Sequence, residues 1–352
     1  MSAKTTPSFR QSPWIRLLPG LGLTLAVAAL SMLAGNAGWG RSLGFSTLTL
    51  AIVLGMLLGN TVYPPLSRVC QAGVTFSKGT LLQAGIILYG FRLTLQQLLG
   101  VGAQGLLSAV FMLVSTFLLA FLLGRWLKLD KQSAVLIGAG SSICGAAAVL
   151  AAEPVVKAKA EQVTVAVATV VIFGTLAIFL YPAMNALHLW PFSGQAFGIY
   201  IGSSVHEVAQ VVAAGKAISA PVADAAVTTK LLRVMLLAPF LLLLSAWWNR
   251  RSSTATTGSQ RQPITVPWFA FGFIGAALFN SLHLLPGVAV SLLLNLDTLL
   301  LTMAMAALGL ATHLSTLRQA GVKPLVLGGL LMVWLVVGGG LFQWGLALLL
   351  PY

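Results

Sequence analysis

The sequence predicts an all-α, polytopic membrane protein with about 9–11 transmembrane helices. Three observations predict it. Of 352 residues only 7% are charged and 58% are hydrophobic, with a mean hydropathy of +0.95, whereas a soluble domain carries about 25% charged residues. The apolar residues gather in runs close to the ~20 that span hydrocarbon. Backbone polar groups in hydrocarbon must be satisfied within the segment, so those runs are helices, and no strand-length alternation of a barrel accompanies them. A soluble enzyme is excluded.

The elements follow in order. The first run, 14–34, comes after Lys4, Arg10 and Arg16 without a clean small-x-small cleavage pattern, so it reads as an uncleaved membrane helix. Runs at 44–63, 79–99 and 102–124 come next, each bounded by Pro, Gly or charge. Two runs, 133–152 and 196–214, are interrupted by Gly-Ser-Ser. Runs at 162–186, 225–247, 267–285, 298–312 and 324–349 complete the set. The chain reads as one integral membrane domain, 1–352, with an N-terminal extra helix in 1–43. First-repeat elements occupy 44–187, second-repeat elements 195–350, and a Ser/Thr-rich flexible cytoplasmic loop 248–264. Cys70 and Cys144 fit neither a disulfide framework nor a metal-ligand spacing.

Internal repeats organise these runs. GSSICGAAAVLAA at 140–152 and GSSVHEVAQVVAA at 202–214 agree at seven of thirteen positions. A second pairing sets Asn60 against Asn280, and Gly90, Leu95 and Leu98 against Gly309, Leu314 and Leu317. With a cytoplasmic N-terminus, nine crossings and the Gly-Ser-Ser segments as half-depth hairpins from opposite sides, fifteen of twenty basic residues fall inside. Lys78 is counted among those loop residues, while Arg41, Arg92 and Lys216 fall at or near the outer face. Full crossings would move only Lys157 and Lys159, so charge alone leaves the choice open. Hairpins make both repeat pairs inverted, an arrangement common in transporters with broken helices at mid-depth.

The chemistry is expected at the interruptions. In Gly140-Ser141-Ser142 and Gly202-Ser203-Ser204 glycine permits a turn and serine caps a helix start, and a buried helix start suits an anion. Close helix packing is the plainer use of the same residues. His206, Glu207 and Gln210 share one helical turn where ionisable groups are expensive, and they are the expected coupling groups. The string is half a zinc-protease motif, but Gln210 stands where the second His belongs. Lys230 and Arg233, i and i+3, form a cationic face that holds an anion, pairs with Glu207, or snorkels to an interface. Asp297 is expected at an interface. The dispersed basic residues argue against nucleic acid, the Gly138–Gly145 spacing does not fit a dinucleotide loop, and no cofactor is expected.

The strings ILYGFRLT (87–94), GSSICGAAAV (140–149), GSSVHEVAQVVAAG (202–215), KLLRVMLLAP (230–239) and LGLATHLSTLRQAGVKPL (308–325) resemble the YeiH-type bacterial inner-membrane proteins, the sulfate-exporter family. The likeness covers roughly residues 40–350, and it implies a multi-pass protein of the cell inner membrane. The expected function is a secondary transporter of a small oxyanion or sulfonate, with proton coupling through His206 and Glu207 and no ATP-driving Walker loop. A passive anion channel and an intramembrane serine hydrolase are the alternatives. The expected partners are a small anionic solute and the lipid bilayer, with a homodimer left open.

Overall fold

The computed structural model describes residues 15–36, 47–192, 194–251, 268–312 and 321–349, which form helices and turns without a strand. Residues 1–14 and 37–43 of the predicted N-terminal segment, and 252–264 of the predicted loop, lie outside the described residues, as do Arg41, Arg261, Leu314, Leu317 and Arg318.

Two bundles divide the helices. The first, here the panel, contains α1 (Leu18–Asn36), α2 (Thr47–Asn60), α3 (Tyr63–Phe76), α4 (Leu82–Tyr89), α13 (Trp268–Ser281) and α14 (Gly287–Leu310). A π-helical turn, Ser77–Leu81, joins α3 to α4 without interrupting the helix. The second bundle, the core, holds α5 (Leu95–Trp126), α6 (Lys131–Ser142), α7 (Ala146–Val156), α8 (Ala160–Ala186), α9 (Gln195–Ser204), α10 (Val208–Lys216), α11 (Ala220–Met235) and α12 (Leu237–Arg251). It also holds α15 (Val322–Val333) and α16 (Gly339–Leu349), again joined by a π-helical turn. Helices pack mainly within their own bundle and only sparsely across. Six segments are long and apolar enough to cross a membrane: α1, α5, α8, α11–α12, α14 and α15–α16. Beside them α2, α7 and α13 are shorter apolar helices.

The two Gly-Ser-Ser segments are re-entrant hairpins. In the first, Asp130 caps α6 through Ser133 N at 2.8 Å and accepts from Gln162 Nε2, at the start of α8, at 2.6 Å. Lys157 ends α7 in the left-handed conformation, three residues before α8. Entry and exit therefore lie at one level, on a face also carrying Arg125, Lys128, Lys131 and Lys159; we call it the basic face. In the second, Gly198 and Gly202 of α9 pack against Val222–Ala226 and Ala226–Thr229, while Gly215 of α10 meets Ala223. Its entry and exit both lie at the start of α11, so it enters from the opposite face.

The panel shows the second repeat directly. Asn60 Nδ2 donates to Thr312 O at 3.0 Å, and Asn280 Nδ2 donates to Leu93 O at 3.1 Å. A Cβ at Gly90 would stand 2.8 Å from Ala276 Cβ, and one at Gly309 would stand 2.8 Å from Gly55 Cα. Each repeat thus donates the same asparagine and rests the same glycine on the other. The contacts are reciprocal, as an inverted pair requires, and glycine is needed because backbone meets backbone there. Gly90→Ala and Gly309→Ala are each expected to lower stability by about 1–3 kcal/mol through overpacking. Gly275→Ala, which meets nothing within 4 Å, should be neutral. Thermal unfolding in detergent checks all three.

Candidate functional site

The hairpin tips meet deep in the core, and their helices end there. Gly140-Ser141-Ser142 closes α6 and Gly202-Ser203-Ser204 closes α9. A helix end leaves its last carbonyls unsatisfied and carries partial negative charge; two such ends facing each other away from water need cations. Lys230 and Arg233 of α11 supply them, and both are fully buried. Lys230 Nζ donates to Ile143 O at 2.6 Å and Val205 O at 2.7 Å. Arg233 donates through Nε to Ser142 O, through Nη2 to Ser141 O and through Nη1 to Ser203 O. Arginine suits the larger share because its planar fork offers donors in fixed directions.

Beyond each break a new helix starts. Gly145, at φ 66°, turns the chain into α7, a conformation that costs glycine little. Its missing Cβ also makes room for Glu207, whose Oε1 would lie 2.9 Å from such an atom. Glu207 is the N-cap of α10, where its own N–H donates to Gln210 Oε1 at 3.0 Å in a capping box. The same carboxylate accepts from Ala146 N, at the start of α7, at 3.3 Å. One acid therefore serves the starts of both inner half-helices.

These starts line a cavity of about 410 Å³ between core and panel, walled by Lys78, Gln83, Cys144, Ala146, Glu207 and Val208 among others. Lys78 sits in the π-helical turn of the α3–α4 helix, half-buried, and makes no ion pair among the described residues.

Several expectations change. The Gly-Ser-Ser triplets are helix ends, so they present carbonyls and not N–H groups; the N–H groups belong to the residues after the breaks. Gly140, Ser141, Ser142, Gly202, Ser203 and Ser204 are buried at the tips and do not line the cavity. The Ser142 hydroxyl donates to Ala139 O at 3.3 Å, and the Ser203 hydroxyl to Tyr200 O at 3.1 Å. Ser204 also donates to Tyr200 O and accepts from the Tyr181 hydroxyl at 2.7 Å. Lys230 and Arg233 hold backbone carbonyls instead of facing open space, and neither snorkels nor pairs with Glu207. His206 is buried behind the second tip, and Gln210 packs on Gly174 of α8. Of the expected coupling groups only Glu207 reaches the cavity.

Lys78, expected in a cytoplasmic loop, lines the cavity instead. The stretch 63–76 is too polar to read as membrane helix, which hid the continuous helix running through Lys78. Asp297 is buried within α14 and ion-paired to Arg92 at 2.7 Å, not interfacial.

Opposed re-entrant hairpins meeting beside a cavity between two helical bundles define a polytopic, all-α membrane protein with an inverted-repeat core. The chain belongs to the UPF0324 membrane protein family: the family described as Conserved hypothetical protein 698 matches residues 19–328. It is 54% identical over 341 residues to UPF0324 inner membrane protein YeiH of Salmonella typhi, covering 97% of each chain. It is 57% identical over 324 residues to the protein of the same name in Escherichia coli strain K12, covering 92% of each. No solved structure matches the chain.

Removing Arg233 would strand three buried carbonyls, each costing about 1–3 kcal/mol when unpaired. Arg233→Met is therefore expected to destabilise more than Lys230→Met, which strands two, and Arg233→Lys should rescue only in part. Melting temperatures in detergent order the three variants.

Proposed function

We propose that this protein is an inner-membrane secondary transporter that moves a small anion, a sulfate or a sulfonate, by alternating access, with its basic face and N-terminus in the cytoplasm. The observation that carries the reading is the cavity between core and panel, walled by two helix starts and Lys78. Helix starts carry partial positive charge and free N–H groups. Lys230 and Arg233 stand just behind them in a medium that screens little. Three cations against the single carboxylate of Glu207 leave this region positive, which favours an anionic guest over a cation or a neutral solute. The positive-inside rule supports a cytoplasmic basic face, and the close relatives carry inner-membrane names.

Glu207 supplies the coupling. Its carboxylate occupies the start of α7, where an arriving anion would bind, so anion and ionised Glu207 repel one another. Protonation removes that repulsion, which ties one proton to one anion. The satisfied hydroxyls of Ser203 and Ser204 speak against a serine nucleophile.

Purified protein in proteoliposomes tests the reading with labelled sulfate and a sulfonate. Lys78→Gln is expected to weaken uptake at least tenfold, about 1.4 kcal/mol of binding, with partial activity in Lys78→Arg. Glu207→Gln should keep anion exchange and lose proton flux. Wild-type transport of every tested anion by both variants would misplace the site, and flux without saturation or exchange would make the protein a channel.

A further inference from the structure

The cavity ends abruptly toward the face opposite the basic one. Along α4 the last residue lining it is Ile86; one turn on, Tyr89 is 1% exposed and donates its hydroxyl to Asp224 Oδ1 at 2.9 Å. Another turn on, Arg92 donates through Nε and Nη2 to Asp297 Oδ2 at 2.9 and 2.7 Å, and through Nη2 to Thr298 Oγ1 at 2.8 Å. The Arg92 guanidinium lies 5.3 Å from the Tyr89 ring centre and the Lys216 ammonium 5.5 Å from it, within reach of cation–π attraction.

The members come from different bodies. Tyr89, Arg92 and Asp297 belong to the panel; Lys216 and Asp224 belong to the core, at the exit of the second hairpin and the start of α11. The cluster therefore bridges the same two bodies that the cavity separates. Within the panel, the Arg92–Asp297 ion pair fixes Arg92 beside the Tyr89 ring. Across the bodies, the Tyr89–Asp224 hydrogen bond and the Lys216–Tyr89 contact are made by side-chain ends alone, so a small separation breaks both. Two acids and two bases balance in charge, which lets the cluster close tightly without holding an ion. On the other side, Leu150 and Trp268, 54% and 75% exposed, form the cavity wall. Beyond Asp224 a smaller cavity of about 240 Å³, bounded by Gln195, Pro221 and Thr228, approaches from the far face.

We infer that Tyr89, Arg92, Lys216, Asp224 and Asp297 form the gate closing the cavity toward the face opposite the basic one, and that the structure is the state open to the basic face. The inference rests on the alternating-access reading and adds which groups must part for the cavity to change sides.

Ala147, exposed in the cavity wall, is a suitable reporter. Ala147→Cys is placed in the full chain carrying Cys70→Ser and Cys144→Ala. A membrane-impermeant thiol reagent is then applied to vesicles of either orientation. The parent should react from the basic face and at least tenfold more slowly from the other. Asp224→Ala and Tyr89→Phe should each raise the rate from the far face at least fivefold and lower it from the basic face. Tyr89→Phe removes one oxygen and keeps the ring, so it reads the same hydrogen bond should Asp224→Ala fail to fold. Unchanged far-face rates in folded variants would overturn the gate while leaving the cavity and the transporter reading in place. A reporter reached from neither face would overturn both.

Discussion

Everything near the centre of this molecule depends on two cations holding five backbone carbonyls. Breaking a helix inside a membrane exposes carbonyls that no water can satisfy. Here two helices break at the same place, with their negative ends converging. Burying a lysine and an arginine costs several kcal/mol each, and ion pairing with a carboxylate would be the usual remedy. Lys230 and Arg233 instead divide Ser141, Ser142, Ile143, Ser203 and Val205 between them. The charge stabilises the helix ends, and the helix ends stabilise the charge. Because each tip is held by the same two residues of α11, the tips cannot part without stranding both.

The clamp also decides what the tips can offer. With the carbonyl ends closed off inside the core, only the starts of α7 and α10 face the cavity. The inverted repeat is symmetric in backbone but not in this chemistry. Pairing Thr169 with Thr229 puts Val170 and Phe173 of α8 where α11 has Lys230 and Arg233. Val170 packs on Gly140 and Phe173 on Gly328, so the first repeat fills with apolar side chains the space that the second fills with charge. Likewise Gly145 stands opposite Glu207 in the hairpin alignment, and the glycine's missing side chain is what lets the carboxylate reach Ala146.

Much of this architecture was legible from residues alone. Asn60 and Asn280, or the two Gly-Ser-Ser triplets, survive as matched pairs because each does the same structural job twice. Lys230, Arg233 and Glu207 stood out because charge is rare in such a chain. Their roles were harder to read. A Gly-Ser-Ser string serves a helix end as well as a helix start, and only the direction of the chain through the break distinguishes donors from acceptors. Lys78 was hidden for a different reason: the polar face of Tyr63–Phe76 resembles a loop until α1 and α14 cover its apolar side around Cys70 and Val74. The Tyr89–Asp224 and Arg92–Asp297 contacts join segments more than 130 residues apart, and no local pattern announces them.

The division of labour between core and panel follows from where the strong interactions lie. The cation clamp, the capping of α7 by Glu207 and the Asp130–Gln162 contact all lie within the core. The reciprocal asparagine and glycine contacts, and the Arg92–Asp297 pair, all lie within the panel. Between the bodies stand the cavity, the Tyr89–Asp224 and Leu95–Ser281 hydrogen bonds, the approach of Lys216 to the Tyr89 ring and sparse helix contacts. A motion that slides one body against the other therefore disturbs the weakest contacts and spares the costly ones. Were the clamp to span both bodies, any such motion would have to expose a buried arginine. Placing Lys230 and Arg233 on α11, on the same side of the divide as both hairpins, keeps the buried charges out of the contact between the two bodies.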